Sequence, residues 1–328
     1  LRAGAIVVPV SPGAKEGEIE YVLAHSGAAA AFLEPCPARQ VGVRVAQIRL
    51  KDLLSPARPS MDPKASLPFA ETDPEATALL IYTSGTTGKP KGVLLSHRAL
   101  AANLLAVARL WGWDASDRLL LTLPCFHLHG LALGCLAPFV IGSSVVLRAR
   151  FDAAAVVRDL SAGRATMFFG VPTMYARLAA LDEDLLRPGS LAGGRLWVSG
   201  SAPLSVPLAE RFRARVGAPI VERFGMSEGG FLISTRPGGE TPGVVGWPVS
   251  GVECRIVRSS ESFPLTDVTP GEPGELLLRG TSMFSGYWQD PEATRRAHVE
   301  GWFRSGDLAS QGPDGAIRVL GRISTDGR

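Results

Sequence analysis

The sequence has few of the features that mark membrane, disulfide-stabilised or nucleic-acid-binding proteins. Its four cysteines form no C-x-x-C pair, which argues against a disulfide framework. Gly134 and Pro138 interrupt the longest apolar run, which falls short of the ~20 residues that span a bilayer. The net charge is only +3, too mild for a nucleic-acid surface. We therefore expect a cytoplasmic protein, with no nucleic acid as partner and no integral membrane segment.

The composition of the 328 residues is that of a globular protein. Hydrophobic residues make up 46% and charged residues 20%, enough to bury a large core. The chain begins with Leu1 rather than Met and ends at Arg328 without a closing element. We expect it to be part of a longer enzyme.

Short apolar runs alternate with helical patterns between residues 76 and 222. The strand-like runs are 78–83, 119–123, 145–147, 166–169, 196–199 and 220–222, and the helical stretches are 96–111, 153–162, one opening at 172, and 208–216. This alternation predicts α/β structure with mainly parallel sheets. After residue 246 the strand-like runs 252–258, 275–279, 303–308 and 316–320 are separated by Gly, Pro and Asp turns, which predicts a smaller β-rich subdomain.

A loop rich in glycine, hydroxyl groups and lysine follows the first of these strands. It reads Tyr82-Thr83-Ser84-Gly85-Thr86-Thr87-Gly88-Lys89-Pro90-Lys91-Gly92, and we expect a helix after it. The glycines allow the backbone to approach a ligand closely, and the hydroxyls and lysines suit a polyphosphate. The pattern GxxxxGK[ST] is not matched, which disfavours a P-loop NTPase.

Further motifs follow in a fixed order. They are Phe126-His127-Leu128-His129-Gly130, Gly170-Val171-Pro172-Thr173-Met174-Tyr175, Ser199-Gly200-Ser201-Ala202-Pro203-Leu204, Glu222-Arg223-Phe224-Gly225-Met226-Ser227-Glu228, Gly301-Trp302-Phe303-Arg304-Ser305-Gly306-Asp307 and Gly321-Arg322. With the phosphate loop, they resemble the AMP-forming acyl- and aryl-CoA synthetases, a superfamily shared with peptide-synthetase adenylation domains and firefly luciferase.

The resemblance implies two α/β subdomains plus the β-rich one. Residues 1–190 would form the first α/β subdomain with the phosphate loop at 83–92, 191–248 part of the second, 249–321 the β-rich subdomain, and 322–328 the start of a hinge. The family carries a small C-terminal domain with a catalytic lysine beyond that hinge, where Asp326 would be the pivot. We expect the chain alone to bind ATP but to form thioester slowly.

The same resemblance implies a reaction in two steps. A carboxylate attacks the α-phosphate of ATP, giving an acyl-adenylate and pyrophosphate, and a thiol, usually CoA, then displaces AMP. The catalytic residues it implies are Thr83, Lys91, Ser227, Glu228 and His127. The phosphates would be held by Thr83, Ser84, Gly85, Thr86, Thr87, Gly88, Lys89 and Lys91, and Mg²⁺ by Glu228.

The nucleoside would be held by residues of the later motifs. Those implied are Ser201, Ala202, Pro203, Glu222, Arg223, Phe224, Gly225, Met226, Ser227, Asp307 and Arg322. Among them Phe224 would stack on adenine and Asp307 would accept the ribose hydroxyls.

The acid pocket would include His129, Gly200 and Arg177, with His127 as a gate. The motifs around His127 and Arg177 resemble the malonyl-CoA synthetase branch, in which Arg177 would bind the distal carboxylate of malonate or methylmalonate. Arg177 on the exposed face of an Ala-rich helix is the other interpretation. Short- or medium-chain acids, o-succinylbenzoate, an amino-acid adenylation domain and a non-catalytic nucleotide-binding protein stay open, as does a homodimer.

Overall fold

The computed structural model describes residues 4–33, 46–49, 71–83, 89–186, 189, 191, 193–258 and 264–323. Its helices are α1 (Glu16–Ser26), α2 (His97–Trp111), α3 (Ala137–Ile141), α4 (Ala153–Ser161), α5 (Pro172–Ala179), α6 (Val206–Val216) and α7 (Pro291–Arg296), with a π-helix at His129–Leu136. Its strands are β1 (Ala30–Leu33), β2 (Ala46–Arg49), β3 (Thr77–Thr83), β4 (Lys91–Ser96), β5 (Arg118–Leu121), β6 (Ser144–Leu147), β7 (Met167–Gly170), β8 (Leu196–Ser199), β9 (Val221–Met226), β10 (Gly230–Ser234), β11 (Trp247–Pro248), β12 (Val252–Val257), β13 (Gly274–Gly280), β14 (Gly286–Tyr287), β15 (His298–Val299), β16 (Trp302–Gln311) and β17 (Ile317–Arg322).

The chain divides into two compact units. Unit 1 comprises residues 1–97 and 285–289, and unit 2 comprises residues 98–284 and 290–328. Within the described residues, no helix is both long enough and apolar enough to cross a membrane.

Unit 1 contains α1, the parallel pair β1–β2 and an antiparallel sheet in the order β14-β4-β3. The phosphate loop joins β3 to β4, and α2 begins only at His97. The helix predicted at 96–111 is confirmed, but the strand β4, which was not predicted, lies between it and the loop. Val93 and Leu95 are buried in β4, where alternate side chains share one face of the strand.

Unit 2 is built on a seven-stranded sheet in the order β11-β10-β9-β8-β7-β5-β6. The strands from β9 to β6 pair in parallel, whereas β10 and β11 are antiparallel. This confirms the predicted α/β fold with mainly parallel sheets. The predicted boundary at residue 190 falls between β7 and β8, which pair directly, so it does not separate two sheets; the domain ranges otherwise stay a prediction.

Aromatic side chains fill both faces of this sheet. Phe168 packs on one face against Tyr175 and Trp197, and its neighbour Phe169 meets Trp111 and Trp113 in edge contacts at 5.5 and 5.3 Å. Because successive strand residues point to opposite faces, β7 is buried on both sides.

A second sheet of unit 2 confirms the predicted β-rich region. Its order is β12-β13-β16-β15, with β17 paired to β16, and all its pairs are antiparallel. The register sets Asp307 of β16 opposite Arg322 of β17.

Candidate active site

The described ends of the phosphate loop lie on paired strands. Thr83 ends β3 and Lys91 begins β4, and the two residues are register partners. Residues 84–88, which carry Ser84, Gly85, Thr86, Thr87 and Gly88, lie outside the described residues. The hairpin explains how Thr83 and Lys91, eight positions apart, come to the same end of one sheet.

Aromatic rings of unit 1 surround the two lysines of this loop. The Lys89 Nζ lies 5.6 Å from the Tyr21 ring centroid, and the Lys91 Nζ lies 5.0 Å from that of Tyr287. Tyr21 Oη donates to the carbonyl of Pro90 at 3.0 Å. Ring faces attract ammonium groups, so these contacts hold both lysines near the loop.

A half-buried tyrosine of β3 lies next to the loop. Tyr82 Oη and His25 Nδ1 are 2.8 Å apart, and burial, helped by the neighbouring Tyr21, raises the pKa of Tyr82 to about 12. Tyr82 is therefore neutral at physiological pH, and its hydrogen bond ties β3 to α1. Sequence reasoning missed Tyr21 and His25, whose i, i+4 spacing on an amphipathic helix was the available signal.

The motif from Glu222 to Glu228 occupies β9 and the turn that leads to β10. Met226 pairs with Gly230, so Ser227 and Glu228 lie in a tight turn. A Cβ on Gly225 would lie 2.2 Å from the Gly230 carbonyl oxygen, and Gly230 has a positive φ of 76°. The two glycines are needed because the strands approach so closely there.

Asn103 of α2 fixes the second strand of this hairpin. Its amide donates to the carbonyl of Phe231 and accepts from the N–H of Phe231, both at 2.9 Å, and the side chain is buried. Sequence reasoning missed Asn103, although a polar residue on the apolar face of a helix was a visible signal.

Asp307 carries a buried carboxylate in the antiparallel sheet. Its side chain is 6% exposed, and its Oδ2 has no partner among the described residues. Arg322 Nε lies 3.3 Å from the Oδ1, and Arg322 also donates to the Ser305 carbonyl at 2.7 Å. Burial raises the pKa of Asp307 to about 6, against the opposing charge of Arg322. The free oxygen suits a hydroxyl donor such as ribose.

Glu228 fits a site for Mg²⁺. Its charge contributes to the raised pKa of Asp307, so negative potential gathers near this turn. Mg²⁺ is commonly held by one or two carboxylates together with phosphate oxygens. In the part of the chain that the structure describes, no group of three or more His, Cys, Asp or Glu forms a complete metal cage.

The segment Gly200–Pro203 follows the carboxyl end of β8, where ligands bind in open α/β sheets. Ser201 adopts a positive φ of 67°, which is rare for a residue with a side chain. A Cβ on Gly200 would lie 2.4 Å from the Nε of Arg223. The missing side chain of Gly200 therefore leaves room for the guanidinium, and the substrate-binding role of Gly200 stays a prediction.

Arg223 is a buried cation on β9. It is 5% exposed, its Nη2 donates to Ser201 Oγ at 3.2 Å, and its guanidinium stacks 4.8 Å from the Phe231 ring centroid. Burial lowers the pKa of Arg223 to about 9, and no carboxylate pairs with it among the described residues. The resemblance implies that both Arg223 and Ser201 bind the nucleotide, and the two side chains are in contact; that role stays a prediction.

His129 completes this cluster. It begins the π-helix, is 6% exposed, and its Nδ1 lies 3.2 Å from the Ser201 Oγ. Burial, and secondarily the charge of Arg223, hold the pKa of His129 well below its usual value. The imidazole is therefore neutral.

Three buried polar atoms of this cluster lack a hydrogen-bond partner among the described residues. They are Ser199 Oγ, His129 Nε2 and Arg223 Nε. Each such buried group costs about 1–3 kcal/mol if it stays unpaired. A negatively charged ligand would pair with the Arg223 Nε–H, and the Ser201 hydroxyl links Arg223 to His129.

The remaining predicted residues are exposed or half-buried. Arg177 is exposed on α5, with its guanidinium 5.0 Å from the Phe151 ring centroid. His127 is exposed, and Ala202 and Pro203 are also exposed, whereas Phe224 and Ser227 are half-buried. Asp326 lies outside the described residues. The roles of Arg177 and His127 stay predictions.

Comparisons with known proteins agree with the motifs. The AMP-binding enzyme family matches residues 1–288. The mitochondrial malonate–CoA ligase of Mus musculus is 39% identical over 280 residues, covering 76% of this chain and 48% of the relative. The sulfoacetate–CoA ligase of Cupriavidus necator is 36% identical over 335 residues, covering 98% of this chain and 64% of the relative.

A solved structure shares the fold over almost the whole chain. A malonyl-CoA ligase in a ternary product complex with methylmalonyl-CoA and AMP has a TM-score of 0.87 and 39% identity, covering 98% of this chain and 68% of that one. The chain thus spans about half of the mouse relative and less than two thirds of the bacterial one.

Proposed function

The chain belongs to the AMP-binding enzyme family, and we propose that it supplies the adenylate-forming part of an ATP-dependent acid–CoA ligase for malonate or methylmalonate. In the first step an oxygen of the acid's carboxylate attacks the α-phosphorus of ATP and pyrophosphate leaves. In the second the thiol of CoA attacks the acyl carbon and AMP leaves.

In the first step, different residues would bind the phosphates, the ribose and Mg²⁺. Thr83, Lys89 and Lys91 would bind the β- and γ-phosphates and the departing pyrophosphate, and Asp307 would accept the ribose hydroxyls. Ser227 would donate to the α-phosphate. Mg²⁺ bound by Glu228 would neutralise phosphate charge, and positioning with charge stabilisation would supply most of the catalysis.

One observation supports the choice of acid: the guanidinium of Arg223 is buried, and no carboxylate of the described residues pairs with it. A buried cation is unfavourable until an anion pairs with it. The second carboxylate of malonate would supply that anion and would accept from Ser201 and His129 as well. The acids in the names of two relatives support this choice, because malonate and sulfoacetate each carry a second anionic group.

ATP–pyrophosphate exchange by the intact protein tests this function. Malonate, methylmalonate, acetate, octanoate and o-succinylbenzoate are compared at equal concentration. We expect malonate or methylmalonate to give the highest kcat/KM. Faster exchange with octanoate or o-succinylbenzoate would contradict the choice of acid, and no exchange with any acid would favour a non-catalytic nucleotide-binding protein.

The variant Arg223→Gln then tests whether Arg223 binds the second carboxylate of malonate. Leaving a buried carboxylate unpaired costs about 3 kcal/mol, so kcat/KM for malonate should fall ~100-fold while that for acetate changes much less. Arg223→Lys should recover part of the loss, and an unchanged thermal midpoint excludes misfolding. Arg177→Leu is the matched comparison: loss of malonate exchange there, with Arg223→Gln still active, would assign the role to Arg177.

A further inference from the structure

Two cysteine sulfurs meet beside the loop that carries His127. Cys125 lies in the turn after β5, and Cys135 lies in the π-helix. The Cys135 thiol donates to the Cys125 sulfur at 3.5 Å. Neither residue belongs to the family motifs that bind nucleotide or acid in the proposed reaction.

The two thiols differ in access to solvent. Cys125 is exposed and Cys135 is half-buried. Burial raises the pKa of Cys135 to about 12, and the hydrogen bond and charge of Cys125 act in the same direction. An oxidant from solvent therefore reaches Cys125 first, and the less exposed Cys135 thiol donates its hydrogen bond to the Cys125 sulfur.

The backbone around the pair already brings the two segments together. A Cβ on Gly130 would lie 2.2 Å from the Pro124 carbonyl oxygen, and one on Gly134 would lie 2.5 Å from a methyl carbon of Leu121. A disulfide needs a sulfur separation of about 2.05 Å, so the sulfurs must close by roughly 1.5 Å. A side-chain rotation at the exposed Cys125 is the movement of lowest cost.

We propose that Cys125 and Cys135 are an oxidisable dithiol that closes to an intrachain disulfide when the protein meets a peroxide. The Cys125 thiolate attacks one oxygen of hydrogen peroxide, the O–O bond breaks, and sulfenic acid forms with release of hydroxide, which takes up the thiol proton as water. The Cys135 sulfur then attacks the sulfenic sulfur, the S–O bond breaks, and a second water leaves. Two thiols are oxidised and one peroxide is reduced.

The disulfide would tie the turn before His127 to the helix that His129 begins. The proposal goes beyond the ligase reaction and does not depend on it, because its readouts are the thiol count and a peptide mass.

The test begins with reduced protein treated with stoichiometric hydrogen peroxide and then denatured. The chain has four cysteines, and we expect two thiols to remain. Trypsin releases both cysteines in one peptide, residues 119–148, because no Lys or Arg lies between Arg118 and Arg148. That peptide should lose the mass of two hydrogens and regain it with dithiothreitol.

Serine variants show which sulfur reacts with peroxide and which one then forms the disulfide, and they provide the control. Cys254→Ser should still lose two thiols, because Cys254 is not near the pair. Cys135→Ser should accumulate sulfenic acid at Cys125, trapped by dimedone, and Cys125→Ser should resist the same dose. Four thiols remaining, a disulfide between two chains, or sulfinic acid at Cys125 without loss of Cys135 in the wild-type protein would each overturn the proposal.

Discussion

At the scale of single residues, burial sets the charge of the group that is expected to hold ribose. The Asp307 carboxyl lies inside the sheet, one of its oxygens has no partner among the described residues, and its pKa is raised to about 6. Because the raised pKa favours the protonated form, the negative charge is present above about pH 6 and is lost as the pH falls through that value.

Adenosine affinity should therefore fall as the pH is lowered from 7.5 to 5. In the proposed site the carboxylate would accept both ribose hydroxyls, whereas the neutral acid would do so more weakly. We expect about tenfold weaker binding with a midpoint near pH 6. Calorimetry with adenosine avoids the titration of phosphate groups. Asp307→Asn should bind weakly at every pH, and 2′,3′-dideoxyadenosine should show no such midpoint; a flat wild-type profile would contradict the role of Asp307.

Sequence and structure give different information about two charged residues of the site. Asp307 follows a recognisable Gly-Trp-Phe-Arg-Ser-Gly motif, so its role could be predicted. The burial of Arg223 could not, because it depends on Phe231 of the next strand and on the missing side chain of Gly200. Arg177, which has the sequence pattern of a substrate ligand, is exposed.

At the scale of elements, the β9–β10 hairpin holds Ser227 and Glu228 and is itself held by Asn103. The hairpin depends on partners distant in sequence: Asn103 and Phe231 are 128 positions apart. This is why β10 was not predicted, whereas β8 and α4, whose patterns are local, were predicted almost to the residue. The strand β4 was not predicted because its sequence signal is weak: only Val93 and Leu95 show the alternation of a half-buried strand. A strong helical pattern follows directly.

Replacing Asn103 by Ala should destabilise the protein by about 2–4 kcal/mol. The substitution leaves the buried N–H and carbonyl of Phe231 without partners, and each costs about 1–3 kcal/mol. Leu105→Ala is the matched control, since Leu105 is exposed on the same helix and its loss should cost no more than about 0.5 kcal/mol. Urea unfolding measures both values, and equal costs for the two variants would show that Asn103 does not hold the hairpin.

At the scale of the whole molecule, each compact unit carries its own set of residues proposed for one part of the nucleotide. Thr83, Lys89 and Lys91 belong to unit 1, whereas Glu228 and Asp307 belong to unit 2. The residues proposed for the β- and γ-phosphates thus belong to unit 1, and those proposed for Mg²⁺ and ribose belong to unit 2. The order of the motifs along the sequence predicted both functions, but not that residues 285–289 return to unit 1 through β14.

Amide hydrogen exchange of the protein, measured once with adenosine and once with pyrophosphate, should distinguish the two units. Adenosine should slow amide exchange in unit 2, at residues 199–203, 222–228 and 305–307, and leave the described ends of the phosphate loop unchanged. Pyrophosphate without Mg²⁺ should slow exchange at the junctions of β3 and β4 with that loop in unit 1, because Glu228, the residue proposed to hold Mg²⁺, lies in unit 2. Each ligand removes solvent only from the amides it covers, so the two protection patterns should be separate. Protection of Thr83 and Lys91 by adenosine alone, or of residues 305–307 by pyrophosphate alone, would contradict the assignment of phosphates to one unit and ribose to the other.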